Sequence, residues 1–188
     1  MSTLPESNPQ APFFEALMQH LMKGTMIPKV QVERSIGPII GFFLADALST
    51  LRKEDIVMLC PEFPIKKDDN HQSTNIDWLM FSRTQQELLL VELKTTDTSF
   101  RVWQADIYDD LQKKITEKAS SAFLIDDLEV IGENSSESGK YGNVKKLMAK
   151  GLGVTVEQLG DTLAGCKHAR VIYLAPEVSR PKNWKPDW

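Results

Sequence analysis

Residues 75–94 read NIDWLMFSRTQQELLLVELK. Two apolar runs of strand length flank a polar interruption, SRTQQ. Each run carries one acid, Asp77 in the first and Glu92 in the second, and Lys94 follows two residues later. A run such as LLLVEL belongs in a sheet covered on both faces, where an unpaired charge is costly. Three charged side chains in that setting require a reason.

Strand geometry supplies part of it. Residues i and i+2 share a face, so Glu92 and Lys94 point the same way and Leu93 the other. Paired residue numbers in an antiparallel hairpin have a constant sum, and a turn centred between Thr84 and Gln85 sets Asp77 opposite Glu92. A two-residue or a four-residue loop gives that same register, although TQ lacks the Asn-Gly signature of a tight hairpin. Like charges directly opposite on a sheet repel, and partial burial worsens the repulsion. Carboxylates on cross-strand positions about 5 Å apart can converge on one hard divalent cation, which takes oxygens at roughly 2.0–2.1 Å if it is magnesium. Lys94 adds a further positive charge. Such a set suits phosphodiester hydrolysis, with a cation-bound water as nucleophile and charge stabilisation at a phosphoryl oxygen. The competing structural reading is that each acid is a solvated strand-end residue and Lys94 an ordinary ion-pair partner; the shared face and the apolar context of all three together weigh against it.

Outward from this centre, the periodicity changes. Upstream, DIVMLCPEF is a short apolar strand ended by Pro61. Before it, SIGPIIGFFLADALSTL repeats apolar residues at helical spacing (Ile36, Ile40, Phe43, Ala47, Leu51), with Ser35 as N-cap and a first turn weakened by Pro38 and Gly41. FFEALMQHLMKG predicts another helix ending at Gly24, and residues 1–12, rich in proline and small polar residues, form a loose leader. Downstream, Trp103, Ile107, Leu111 and Ile115 recur every four residues and predict a helix. A helical excursion over 120–167 follows. It holds the loosest stretch, GENSSESGKYGN, then VKKLMAKGL and TVEQLGDTL as short helices, the last opened by a capping box from Thr155 to Gln158. ARVIYLAPE is a strand stopped by Pro176, and 177–188 a polar tail. The order implies one α/β (α+β) domain over residues 13–176.

The whole chain has 188 residues, 41% of them hydrophobic, and a net charge of −4, with a pI near 5.4. That length supports one core without staples. Cys60 and Cys166 lie far apart and form no CxxC pair, which favours a reducing compartment and buried or neutral thiols. With no basic-then-apolar N-terminus and no apolar run near the roughly 18 residues of a membrane span, the expectation is a cytoplasmic protein without a membrane segment. The acidic balance argues against a surface wholly tuned to nucleic acid, though acids gathered around a cation lower the total without opposing a local basic stripe.

With Asp77 on one strand and Glu92-Leu93-Lys94 on the next, the sequence resembles the PD-(D/E)xK nuclease superfamily, whose signature is an acid followed by Glu or Asp, any residue, then Lys. The resemblance covers roughly residues 30–115 and the strand 169–175. It implies a restriction-endonuclease-like core: a helix, a three-stranded antiparallel meander, a helix and a further strand, giving a central mixed sheet of about four strands flanked by helices. It is similar in particular to the RecB-type branch, where the helix after the lysine strand carries Gln, three residues, then Tyr; here these are Gln104 and Tyr108. Glu33 is the counterpart of a glutamate in that branch's first core helix. Asp77 follows Ile76 rather than Pro, a departure from the name-giving motif. The resemblance implies Asp77 and Glu92 as ligands of magnesium, with manganese able to stand in, Lys94 as the residue assisting water attack, and Gln104, Tyr108 and Glu33 as the outer ring. DNA is the implied substrate, and a homodimer is compatible with cutting both strands.

The motif does not separate DNA from RNA or small nucleotides. A reading of another class, a non-hydrolytic nucleic-acid or protein interaction module on the same fold, draws on the acidic pI and the lack of an evident DNA-reading element; the intact Asp, Glu and Lys oppose it. His20, His71 and His168 are scattered and lack metal-ligand spacing. Asp106, Asp109 and Asp110 read as a solvated helix face, and Asp97 as a loop cap. Lys113, Lys114, Lys118, Lys140, Lys145, Lys146 and Lys150 are candidates for a basic stripe. Trp184 and Trp188 read as packing residues, with base stacking the functional alternative.

Overall fold

The computed structural model describes residues 32–67, 73–94 and 101–175, without the side chains of 32–35. The leader, the helix expected over FFEALMQHLMKG, the tail, His20, His71, Asp97, Trp184 and Trp188 lie outside these residues. The elements are α1 (Val32–Arg52), β1 (Ile56–Lys66), β2 (Ser73–Ser82), β3 (Glu87–Leu93), α2 (Val102–Lys118), α3 (Phe123–Glu133), α4 (Ser138–Leu152), α5 (Leu159–Ala164) and β4 (His168–Leu174). The four strands form one sheet in the order β1-β2-β3-β4, antiparallel through β3 and parallel between β3 and β4. The fold is α+β, a mixed sheet flanked by helices.

The apolar runs of β2 and β3 are continuous because both faces are covered. Leu79, Phe81, Leu88 and Leu90 join a core with Tyr108, Leu111 and Ile115 of α2, Leu128 of α3 and Met148 of α4. On the opposite face Trp78, Met80, Leu89 and Val91 pack with Leu44 and Leu48 of α1. The hairpin has the register expected: Trp78 pairs with Val91, Leu79 with Leu90 and Ser82 with Glu87 across a four-residue turn, Arg83–Gln86. The Ser82 hydroxyl accepts from the Gln85 N–H, and the Gln86 side chain donates to the Arg83 carbonyl, so side chains close a turn that lacks Asn-Gly.

Several boundaries differ from the sequence reading. The first helix starts at Val32 and runs through Ser35 and Pro38, so Ser35 is not its N-cap. Pro38 forfeits a single bond to the carbonyl four residues back, while the Leu44 and Leu48 stripe anchors the helix on the sheet. β1 continues through Pro61 and Pro64 to Lys66; it is an edge strand, which tolerates proline wherever the missing N–H faces outward. Its register shifts between Met58 and Cys60. The inward face of α2 is also rotated. Trp103 is exposed, and Tyr108, Leu111 and Ile115 are buried. The stretch read as loosest, GENSSESGKYGN, is mostly helix: α3 ends at Glu133 and α4 starts at Ser138, with Gly132 in close contact with Tyr141. The capping box keeps its return bond, the Gln158 side chain accepting from the Thr155 N–H, but the helix itself starts at Leu159. Cys60 and Cys166 are buried free thiols, as expected; burial, then the charge of Glu62, pushes the Cys60 thiol up to about 11.

Candidate functional site

β3 ends in the sequence Glu92-Leu93-Lys94 where β4 runs parallel beside it, and the Lys94 N–H donates to the Leu174 carbonyl. Alternation sends Glu92 to the same side as Leu88 and Leu90, toward α2. There the sheet meets Gln104 and Tyr108, one helical turn apart on α2. The Lys94 ammonium donates to Glu92 Oε1 at 2.8 Å and to Gln104 Oε1 at 2.9 Å. Gln104 Nε2 donates to Glu92 Oε1 at 2.8 Å and to the Tyr108 hydroxyl at 2.7 Å, and that hydroxyl donates to Glu92 Oε2 at 2.8 Å. Glu92 and Lys94 are about 5% exposed and Tyr108 fully buried. A buried ion pair offsets its desolvation only when the remaining donors and acceptors are met, and the Gln104 amide and the Tyr108 phenol meet them. Burial, followed by the Glu92 charge, pushes the Tyr108 phenol far up, so it stays a neutral donor.

Asp77 stands where β2 and β3 part. The last ladder pair is Trp78 with Val91; one step on, the Leu93 N–H, which a continued ladder would give to a carbonyl of β2, is taken by Asp77 Oδ2 at 2.6 Å. The Asp77 carboxyl is pushed up to about 6 by burial first and the Glu92 charge second, against the pull of the Leu93 N–H. Glu62 adds a third negative field and Lys94 a weaker opposing one. The structure therefore gathers Asp77, Glu92, Lys94, Gln104 and Tyr108 at one end of the sheet. Glu33 lies in the first turn of α1, and its side chain falls outside the described residues.

Two further residues near the site emerge only from the fold. Glu62 lies between the pairs Pro61–Trp78 and Phe63–Ile76, which sets it opposite Asp77. It is exposed and has a φ of 50°, a left-handed conformation that non-glycine residues seldom adopt. The flanking prolines of CPEFP are its only signal in the sequence, and by themselves they predict the end of the strand. Tyr173 of β4 pairs in register with Glu92; burial and then the Glu92 charge push its phenol up to about 12.

The Asp77 carboxylate lines a cleft of about 770 Å³ between α1 and the sheet. Among the described residues, no group of three or more His, Cys, Asp or Glu side chains is already gathered as a metal cage, and His168 lies on the exposed start of β4. Asp106, Asp109 and Asp110 are exposed, as expected of a solvated face. Four of the seven lysines expected to form a basic stripe pair with acids: Lys113 with Asp110, Lys114 with Asp127, Lys140 with Glu137 and Lys145 with Glu129. No helix among the described residues is long and apolar enough to cross a membrane. Compared with protein-family models, with curated proteins and with solved structures, the chain matches none of them.

Proposed function

We propose that this chain is a divalent-cation-dependent phosphodiester hydrolase acting on DNA, built on a restriction-endonuclease-like core. The observation that carries the reading is the closed network of Lys94, Glu92, Gln104 and Tyr108 beside the Asp77 carboxylate. The donor chemistry fits magnesium or manganese: Asp77 and Glu92 offer carboxylate oxygens, the ligands that hard cations prefer, and their mutual repulsion is relieved by a shared positive charge. When bound by Asp77 and Glu92, the ion supplies a Lewis acid for the phosphoryl oxygen and an acidified water.

The chain's own residues do the positioning. The Leu93 N–H fixes the Asp77 carboxylate through Oδ2. Gln104 and Tyr108 fix the Glu92 carboxylate from two sides and so fix the ammonium that leans on it. Lys94, with two of its N–H bonds engaged, orients the attacking water and stabilises the charge that develops on the phosphate. One observation favours the interaction-module reading instead: both Glu92 oxygens already accept bonds from protein donors, so the network is satisfied without a cation.

The test is cleavage of plasmid, linear duplex and single-stranded DNA with magnesium or manganese by the wild type and by Lys94→Met, with manganese-induced stabilisation measured in parallel. The hydrolase reading expects wild-type cleavage, a loss of about 10²–10³-fold in the variant, and a melting shift with manganese in the wild type. Equal cleavage by both proteins would remove Lys94 from the mechanism. Absence of both cleavage and a melting shift in the wild type would favour the interaction module.

A further inference from the structure

Where α2 begins, three side chains stand together that the network of Glu92 and Lys94 does not use. Trp103 belongs to neither core and is 46% exposed. Two cations lean on its indole: the Lys67 ammonium lies 5.2 Å from the ring centroid and the Arg101 guanidinium 5.9 Å from it. Neither cation pairs with an acid among the described residues, whereas Lys66 reaches Asp127, and Arg52, Arg83 and Arg170 each reach an aspartate or glutamate. Place ties the group to the candidate site. Trp103 precedes Gln104, whose side chain bonds both Glu92 and Lys94. Lys67 follows β1 at the end of the sheet where Glu62 stands opposite Asp77, away from the hairpin turn after Ser82.

The chemistry of the three side chains names an occupant. Two cations without acid partners, on a chain of net charge −4, make a local field that favours a polyanion. Phosphate contacts alone serve a duplex and a single strand alike, but the ring does not. In a duplex each base face is covered by the next base pair, so a surface ring meets backbone and groove edges. An unpaired base offers a free π-face, and an exposed aromatic beside cations is the combination that tracks single strands. Resting on the hydrolase reading for the position of the cut, we propose that Trp103, Lys67 and Arg101 form a shelf that holds an unpaired strand of nucleic acid beside the carboxylates, a base on the indole and its phosphates on the two cations.

Binding of a labelled single-stranded oligonucleotide and of its blunt duplex tests this, measured by fluorescence anisotropy in EDTA so that nothing is cut. Wild type is compared with Trp103→Ala, Trp103→Phe, Lys67→Gln and Arg101→Gln. Trp103→Ala should raise Kd for the single strand about tenfold and for the duplex by less than about twofold, while Trp103→Phe, which keeps a ring, recovers most of the loss. Lys67→Gln and Arg101→Gln should each flatten the slope of log K against log salt for the single strand by about 0.7. All four positions lie outside the core, so the variants should melt with the wild type. An unchanged single-strand Kd in Trp103→Ala, an equal loss on both substrates, or a wild type that binds no single strand overturns the inference. Cleavage in magnesium separates it from the reading it rests on: a wild type that binds through Trp103 and cuts nothing overturns the hydrolase reading alone, and a wild type that cuts while Trp103→Ala keeps its single-strand Kd overturns the shelf alone.

Discussion

Asp77 is the residue at which stability and chemistry oppose each other. Its proton affinity is raised because burial and Glu92 disfavour the ionised form. The folded protein keeps this proton between the ordinary value of 3.8 and about 6 while the unfolded chain has lost it. Stability therefore falls as pH climbs through that window and stays lower above it. Asp77→Asn removes the charge but retains an oxygen for the Leu93 N–H. At pH 8 without divalent cations the variant should melt higher than the wild type; with solvent screening at the cleft the gain is on the order of 1 kcal/mol, or about 2–4 °C. Manganese should stabilise the wild type, more strongly above pH 6 than below it, and leave the variant unmoved. A wild type that is as stable as Asp77→Asn at pH 8 and unaffected by manganese would show that the carboxylates neither repel nor share an ion.

At the scale of elements, the sheet end is held open by competition between main chain and side chain. β2 and β3 stay paired from Ser82–Glu87 to Trp78–Val91, and beyond that a carboxylate replaces the backbone acceptor. α2 closes the other side, and its orientation follows from polar satisfaction: Tyr108 turns inward because the sheet offers it Glu92, leaving Trp103 to solvent beneath Lys67. The helical layer depends equally on close approach. A Cβ at Gly151 would clash with the Met58 carbonyl oxygen, a backbone atom of β1 that cannot swing aside. Gly151→Ala should therefore push α4 off the sheet edge and lower stability by about 1–3 kcal/mol in denaturant unfolding. A stability equal to or above wild type, the result helix propensity alone would give, would contradict that packing.

Across the whole molecule, charge is arranged locally. The chain carries −4 overall, and lysines that periodicity set on the helical side lean on neighbouring acids. Lys118, Lys146 and Lys150 of the expected stripe stand outside these pairs. If those three lysines alone meet phosphate, the slope of log K against log salt for a single-stranded oligonucleotide should be about −2, given roughly −0.7 per phosphate neutralised; a slope of −5 would demand several further basic contacts. Much of the architecture was legible in the chain itself. Alternation and turn position determined the hairpin register, because pairing in an antiparallel ladder leaves one free integer and a buried apolar pattern selects it. Glu92 and Lys94 had to share a face for the same local reason, and one helical turn had to bring Gln104 and Tyr108 together. What only the tertiary structure decided depends on neighbours distant in sequence: that β1 survives two prolines as an edge strand, that Glu62 comes opposite Asp77, that β4 lies parallel to β3 and brings Tyr173 to Glu92, and that α1 runs through Pro38 to wall an apolar cleft. Local periodicity reports which residues prefer burial, but the partners that make burial of a charge or a proline tolerable appear only when the chain has closed on itself.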